Sequence, residues 1–74
     1  MNTEEKIILL AKTLQIDRKH LNPATKLDSL EEWDSLGIMA VIAMLDKKFD
    51  VRLKGDEIAL LQTPDDILRH MKEK

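Results

Sequence analysis

Between Thr3 and Gln15 the apolar residues Ile7, Leu10, Ala11 and Leu14 recur at steps of three and four. That spacing predicts an amphipathic helix. Asn2 is placed to cap it, with Glu5 three residues on to answer the cap. The pattern then lapses from Ile16 to Trp33, where Asn22-Pro23 and scattered polar residues surround three anchors, Leu21, Leu27 and Leu30. We read this stretch as a long ordered loop with one helical turn near Ser29 to Glu32. A loop of that length in a compact domain is functional or pinned to the core.

Asp34 caps a second helix that runs to about Lys48. Phe49, Val51 and Leu53 alternate as a strand would, but no other segment could pair with one. Gly55-Asp56 breaks the chain before a short helix, Glu57 to Gln62. Thr63-Pro64-Asp65-Asp66 then opens a fourth, with a hydroxyl cap, a proline in first place and carboxylates in the first turn. Ile67, Leu68 and Met71 line this last helix, and His70, Lys72 and Lys74 lie toward its C-terminus, where cations suit the dipole. The predicted fold is all-α: a four-helix bundle with a long first loop and a short third helix, in a single domain over 1–74.

The second helix is apolar almost all the way round. At about 100° per residue, Ile38, Val41, Ile42, Leu45 and Phe49 share one broad face, with Met39 at its border. Leu36, Gly37, Ala40, Ala43 and Met44 fall opposite, with no charge before Lys47. A surface helix carries polar residues there, and a domain this small has little chain with which to wrap a central helix on all sides. The second apolar face, Leu36, Gly37, Ala40, Ala43 and Met44, is therefore expected to meet a partner, together with Lys47 at its end.

Composition narrows the classes. The 74 residues are 43% hydrophobic and 35% charged, which suits one folded domain whose core supplies roughly 3–5 kcal/mol of net stability. A net charge of −2 gives no attraction for nucleic acid or an anionic membrane. A DNA-reading helix would need basic residues, and helix two has none before Lys47. With no cysteine there are no disulfides and no thiolate metal sites. The polar, acidic start Met1 to Lys6 lacks the form of a signal peptide, and the longest apolar run, Ile38 to Leu45, is too short to span a membrane. We expect a cytoplasmic monomer.

Ser35 opens helix two just after its cap. A helix N-terminus offers unpaired amide donors and the positive end of the dipole, so a phosphodiester on that hydroxyl would be tolerated there. On these two residues alone Asp34-Ser35 reads simply as a cap. The wider context says more. Glu32-Trp33-Asp34-Ser35-Leu36-Gly37, the long apolar helix and its closing Lys47-Lys48-Phe49-Asp50-Val51 resemble the phosphopantetheine-attachment motif of the acyl carrier protein family. A capped helix precedes the motif, and a short third helix and Thr63-Pro64 follow in the family's order, so the resemblance covers nearly the whole chain.

That resemblance implies a carrier with no catalytic residues or metal of its own. Ser35 would bear a covalent 4′-phosphopantetheine, and Asp34 would cap the helix and help a phosphopantetheinyl transferase position its magnesium. Leu36 would touch partner enzymes, and the arm's thiol would hold cargo as a thioester for acyl- or aminoacyl-loading and condensing enzymes. Carriers of fatty acid synthesis have an acidic helix two, whereas Gly37, Ala40 and Ala43 stand here with Lys47-Lys48 after a single Asp46. This departure points to a specialised fatty acid, polyketide or lipid pathway. The alternatives are an aminoacyl or peptidyl carrier, or an unmodified helical adapter working through helix two.

Rival sites carry less. Asp28-Ser29-Leu30 repeats the triplet, but Glu31, Glu32 and Trp33 follow in place of a long apolar helix. Ser29 is expected to cap a single turn, with Glu32 completing a capping box. No nucleophile elbow surrounds Ser35 and no triad spacing links it to His20 or His70. The pairs Glu4-Glu5, Asp56-Glu57 and Asp65-Asp66 fall at helix starts, where the dipole accounts for them. Trp33 is expected to pack over the loop and the end of helix one.

Overall fold

A computed structural model describes residues 1–72. It contains four α-helices: α1 (Thr3–Leu14), α2 (Ser35–Phe49), α3 (Gly55–Ala59) and α4 (Pro64–Leu68). Two 3-10 turns, Arg18–His20 and Leu27–Ser29, lie in the first loop, and no strand occurs among the described residues. Of the alternating Phe49, Val51 and Leu53, Phe49 ends α2 and is buried, and the other two lie in the link to α3, packed at the core's edge.

Local chemistry sets the helix starts. Asn2 Oδ1 accepts the Glu5 amide at 2.8 Å, and Glu5 Oε1 accepts the Asn2 amide at 3.0 Å, which completes the expected box. At α4, Asp66 Oδ2 accepts the amides of Gln62 at 2.9 Å and Thr63 at 3.1 Å. These two bonds, the Gln62 one first, hold the Asp66 carboxyl below the usual carboxylate range. Both α1 and α2 end on a residue in the left-handed conformation, Gln15 (φ 60°) and Asp50 (φ 57°).

Some bounds differ from expectation. α3 begins at Gly55, two residues early, and ends at Ala59. α4 stops at Leu68, short of Met71. The chain continues there in i→i+3 bonds, His70 N to Ile67 O and Met71 N to Leu68 O, which swing Met71 into the core at 0% exposure. Lys72 thus lies beyond the helix, and Lys74 is outside the described residues. In the loop, the helical turn falls at Leu27–Ser29 and the turn at Arg18–His20 is additional. Arg18 makes a two-pronged contact with Glu4, at 2.6 and 2.7 Å, so the first loop is tied back to the start of α1. Glu4 and Glu5 therefore have structural partners as well as a favourable dipole.

One core joins these elements: Ile7, Leu10, Ala11 and Leu14 of α1, Val41, Met44, Leu45 and Phe49 of α2, and Leu61, Ile67, Leu68 and Met71 of the C-terminal part. Leu21 and Leu27 enter it from the loop, essentially without exposure, and Leu30 packs at its margin. Two long-range backbone bonds pin the same loop, Leu27 N to Gln62 O at 2.8 Å and Asp65 N to Pro23 O at 3.2 Å. The loop is ordered because its backbone polar groups and its leucines both find partners in the folded core.

The orientation of α2 corrects the two-faced assignment made from sequence. Met44, placed on the outward face, is buried, and Ile42, placed in the core seam, is only half-buried. Gly37 turns toward α1: a β-carbon there would overlap the Glu32 carbonyl oxygen and lie 3.2 Å from Leu14 Cδ2. Met44 lies two turns further along the same side of the helix and is covered with it. Because position 37 carries no side chain, α1 leans onto that flank. The helix is rotated accordingly, and Met39, at 63% exposure, comes out.

Candidate functional site

Asp34 has an extended backbone, and its Oδ1 accepts the Gly37 amide at 2.9 Å while its carbonyl accepts Ile38 N at 2.8 Å. Both bonds are those of an N-cap. Ser35 is therefore the first residue of a helix fifteen residues long, and it is exposed. Its hydroxyl has no protein hydrogen-bond partner among the described residues, and the amides of the first turn that Asp34 does not engage point outward beside it. An exposed, unengaged hydroxyl at the positive end of a helix dipole is suited to a phosphodiester: the oxygen is accessible, and the added negative charge meets favourable donors.

Ser29 presents the opposite situation. It ends the Leu27–Ser29 turn, and its Oγ donates to the Lys26 carbonyl at 2.6 Å. It caps no helix start, and the expected box with Glu32 does not form; Trp33 N instead bonds Leu30 O at 3.1 Å. The two Asp-Ser-Leu triplets therefore differ in whether the hydroxyl is already used.

From Ser35 an exposed stripe runs down α2 through Leu36 (76% exposed), Met39 and Ala43 to Asp46 and Lys47. At about 100° per residue these positions share one arc of the helix. Of the residues expected to meet partners, the structure groups Leu36, Ala43 and Lys47 on this surface, leaves Ala40 half-buried at its edge, and turns Gly37 and Met44 inward. Met39 was missed. Its border position on the helical wheel was the only signal for it. Asp46 is held by Arg52 Nε at 3.1 Å, so the far end of the stripe is dominated by Lys47 and Lys48.

Two open grooves flank the start of α2. One, about 380 Å³, has Trp33 as a wall, with Lys26 and Asp28 on the loop side and Ala59, Leu61 and Gln62 on the other. Trp33 thus lies over the loop, as expected, but faces the α3–α4 link in this groove. The second groove, about 340 Å³, lies between the end of α1 and the first turns of α2. His20 is exposed beyond the Arg18–His20 turn and His70 follows α4; no bond joins either to Ser35. No cluster of metal-ligating side chains exists among the described residues, and no helix there is long and apolar enough to cross a membrane.

A family model described as the phosphopantetheine attachment site matches residues 7–71, which takes in α2, the two triplets and most of the core. No solved structure matches the chain. The match extends over most of the sequence, and the chain belongs to the phosphopantetheine-attachment family. It is a carrier protein with a covalently attached 4′-phosphopantetheine, of the kind served by phosphopantetheinyl transferases and partner enzymes.

Proposed function

We propose that Ser35 is the attachment residue, and that the chain, as a single carrier domain, holds acyl intermediates and delivers them to enzymes of a specialised fatty acid, polyketide or lipid pathway. The observation that carries the assignment is the exposed, unengaged Ser35 hydroxyl at the capped start of α2, set against a Ser29 hydroxyl already committed to Lys26. The bound group supplies a terminal thiol on which an acid is held as a thioester. The chain's own residues present that group. Asp34 orders the first turn, the outward amides accommodate the phosphodiester charge, and Leu36, Met39 and Ala43 offer an apolar surface beside it.

The specialised pathway is supported by the character of this surface. Docking through charge would need carboxylates along α2, but Asp46 is the helix's only acidic residue and is paired with Arg52. A partner that buries Leu36 and Met39 instead gains roughly 25 cal/mol per Å² of apolar area removed from water. We assign Leu36, Met39, Ala43 and Lys47 to partner contact, with Ala40 at the edge.

The test is a mass measurement after incubation with coenzyme A, magnesium and a broad-specificity phosphopantetheinyl transferase. The wild type and Ser29→Ala gain the mass of the arm, and Ser35→Ala does not. A mass gain on Ser35→Ala would overturn the assignment.

A further inference from the structure

Among the described residues nothing bonds the Ser35 hydroxyl, so its direction is set by the backbone on either side. On the C-terminal side that is the first turn of α2. On the N-terminal side it is the tight turn over residues 30–33, closed by Trp33 N to Leu30 O at 3.1 Å. Leu30 and Trp33 pack against the margin of the core, while Glu31 and Glu32 between them are exposed. The corner of this turn rests on α2. The Glu32 carbonyl oxygen lies so close to Gly37 that a β-carbon at position 37 would overlap it, with the Glu32 carbonyl carbon only 3.2 Å away. The Gly37 amide in turn is held by Asp34 Oδ1 at 2.9 Å. One residue thus receives the turn at its α-carbon and the cap at its nitrogen, and the two contacts enclose the segment that carries Ser35.

A β-carbon at position 37 has to displace something. Leu14 Cδ2, 3.2 Å from it, ends a flexible side chain and can give way. α2 itself is anchored in the core by Val41, Met44, Leu45 and Phe49. The Glu32 carbonyl belongs to an exposed turn, so the turn moves, and Trp33 and Asp34 move with it. Its oxygen would retreat by at least about 1 Å, and a misplacement of that size at reacting atoms costs on the order of 10²-fold in rate. Three residues separate Glu32 from Ser35, so part of the shift is absorbed on the way and a loss of about tenfold is expected. Direction matters because of the reaction. Ser35 Oγ bonds the pantetheine-bearing phosphorus of coenzyme A, its proton passes to a base of the transferase, and the anhydride P–O bond breaks to release adenosine 3′,5′-bisphosphate. The attacking and leaving oxygens stand roughly in line in such a displacement.

We infer that Gly37 is a positioning residue for transfer of the arm: by seating the Glu32 carbonyl against the first turn of α2 it fixes the 30–33 turn, and through Trp33 and Asp34 the direction of the Ser35 hydroxyl. This rests on attachment at Ser35. The exposed stripe of Leu36, Met39 and Ala43 keeps its side chains in a Gly37→Ala protein, so docking of the transferase persists while the transfer step slows. Trp33, the chain's single tryptophan, is half-buried at the end of the turn and reports its displacement.

The experiment loads the whole apo-protein with coenzyme A, magnesium and a broad-specificity phosphopantetheinyl transferase. Fragment masses of the wild type first locate the arm. Its absence from Ser35 overturns both the attachment assignment and this inference. With the arm on Ser35, single-turnover rates are measured by mass with the transferase in excess and its concentration varied, which separates the transfer rate from half-saturation. Gly37→Ala, shown to be folded by circular dichroism, is expected to transfer about tenfold more slowly at saturation, with half-saturation unchanged and Trp33 emission moved to longer wavelength. Gly55→Ala, the same exchange in open space, and Ile7→Val, which weakens the core away from the turn, are expected to keep the wild-type rate and emission. A wild-type rate in Gly37→Ala, a loss confined to half-saturation, an equal loss in Ile7→Val, or slowed transfer with no change at Trp33 would overturn the positioning role and leave attachment at Ser35 standing. Should Gly37→Ala fail to fold, Leu30→Ala decides by the same readings, because it removes the turn's anchor on the core and leaves α2 intact.

Discussion

Replacing Gly37 by alanine separates helix propensity from packing in a single substitution. In an unconstrained helix the change stabilises by about 1 kcal/mol, because glycine has the larger backbone entropy to lose. Gly37 has no positive φ to relieve, so no conformational strain enters on either side. What enters is volume. The new β-carbon would fall on the Glu32 carbonyl oxygen, a backbone atom that cannot rotate away, with Glu32 C and Leu14 Cδ2 each at 3.2 Å. Overpacking of this kind costs about 1–3 kcal/mol, occasionally more. With backbone as the obstacle the upper part of that range applies, and the expected net loss is about 1–2 kcal/mol. For a domain of this size that is a fall in Tm of about 4–16 °C. Gly55→Ala is the internal control: a β-carbon there meets nothing within 4 Å, and a gain of about 0.4–1 kcal/mol is expected. Urea unfolding followed by circular dichroism measures both, with an unchanged m-value showing that the unfolded state is not altered. A Gly37→Ala protein as stable as the wild type would refute the close approach of α1 and α2, and with it the reason given for the burial of Met44.

The orientation of α2 can be tested further by truncation. Met44→Ala and Leu45→Ala should each lose about 2–5 kcal/mol, whereas Ala43→Ser, on the exposed stripe, should stay within about 0.5 kcal/mol; a harmless Met44→Ala would restore the outward face. Asp66 makes stability acid-sensitive. Its folded pKa lies below its unfolded one, so its contribution is complete above the ordinary carboxylate pKa and is lost as pH falls through the folded value. Stability should thus drop below about pH 4, and less steeply in Asp66→Asn, as followed by urea midpoints across that range. Binding of the holo-protein to a loading or condensing enzyme of its pathway should weaken little as salt rises and should be lost in Ala43→Glu. A steep salt dependence, or tighter binding by Ala43→Glu, would show that charge governs docking.

Much of this fold is decided within a few residues of chain. Asn2 with Glu5, Asp34 before Ser35, and Thr63-Pro64 with Asp66 each satisfy amides four residues away or nearer, so the helix starts can be read from sequence. The attachment motif is equally local: a cap, a serine and the first turn of an apolar helix. Tertiary structure decided the rest. A helical wheel gives the angles between side chains but not the direction from which neighbouring helices approach, and α2 is apolar around so much of its circumference that several rotations bury similar area. The missing side chain at Gly37 resolves this, but only because Leu14 and the Glu32 carbonyl stand opposite it. In the same way, the order of the first loop depends on Leu27 N meeting Gln62 O and Asp65 N meeting Pro23 O. The partners are 35 and 42 residues apart along the chain, and nothing in the intervening sequence signals their meeting. Ser35 can be proposed from the sequence because its surroundings are its neighbours in the chain, while the burial of Met44 and the exposure of Met39 could not be read because theirs are not.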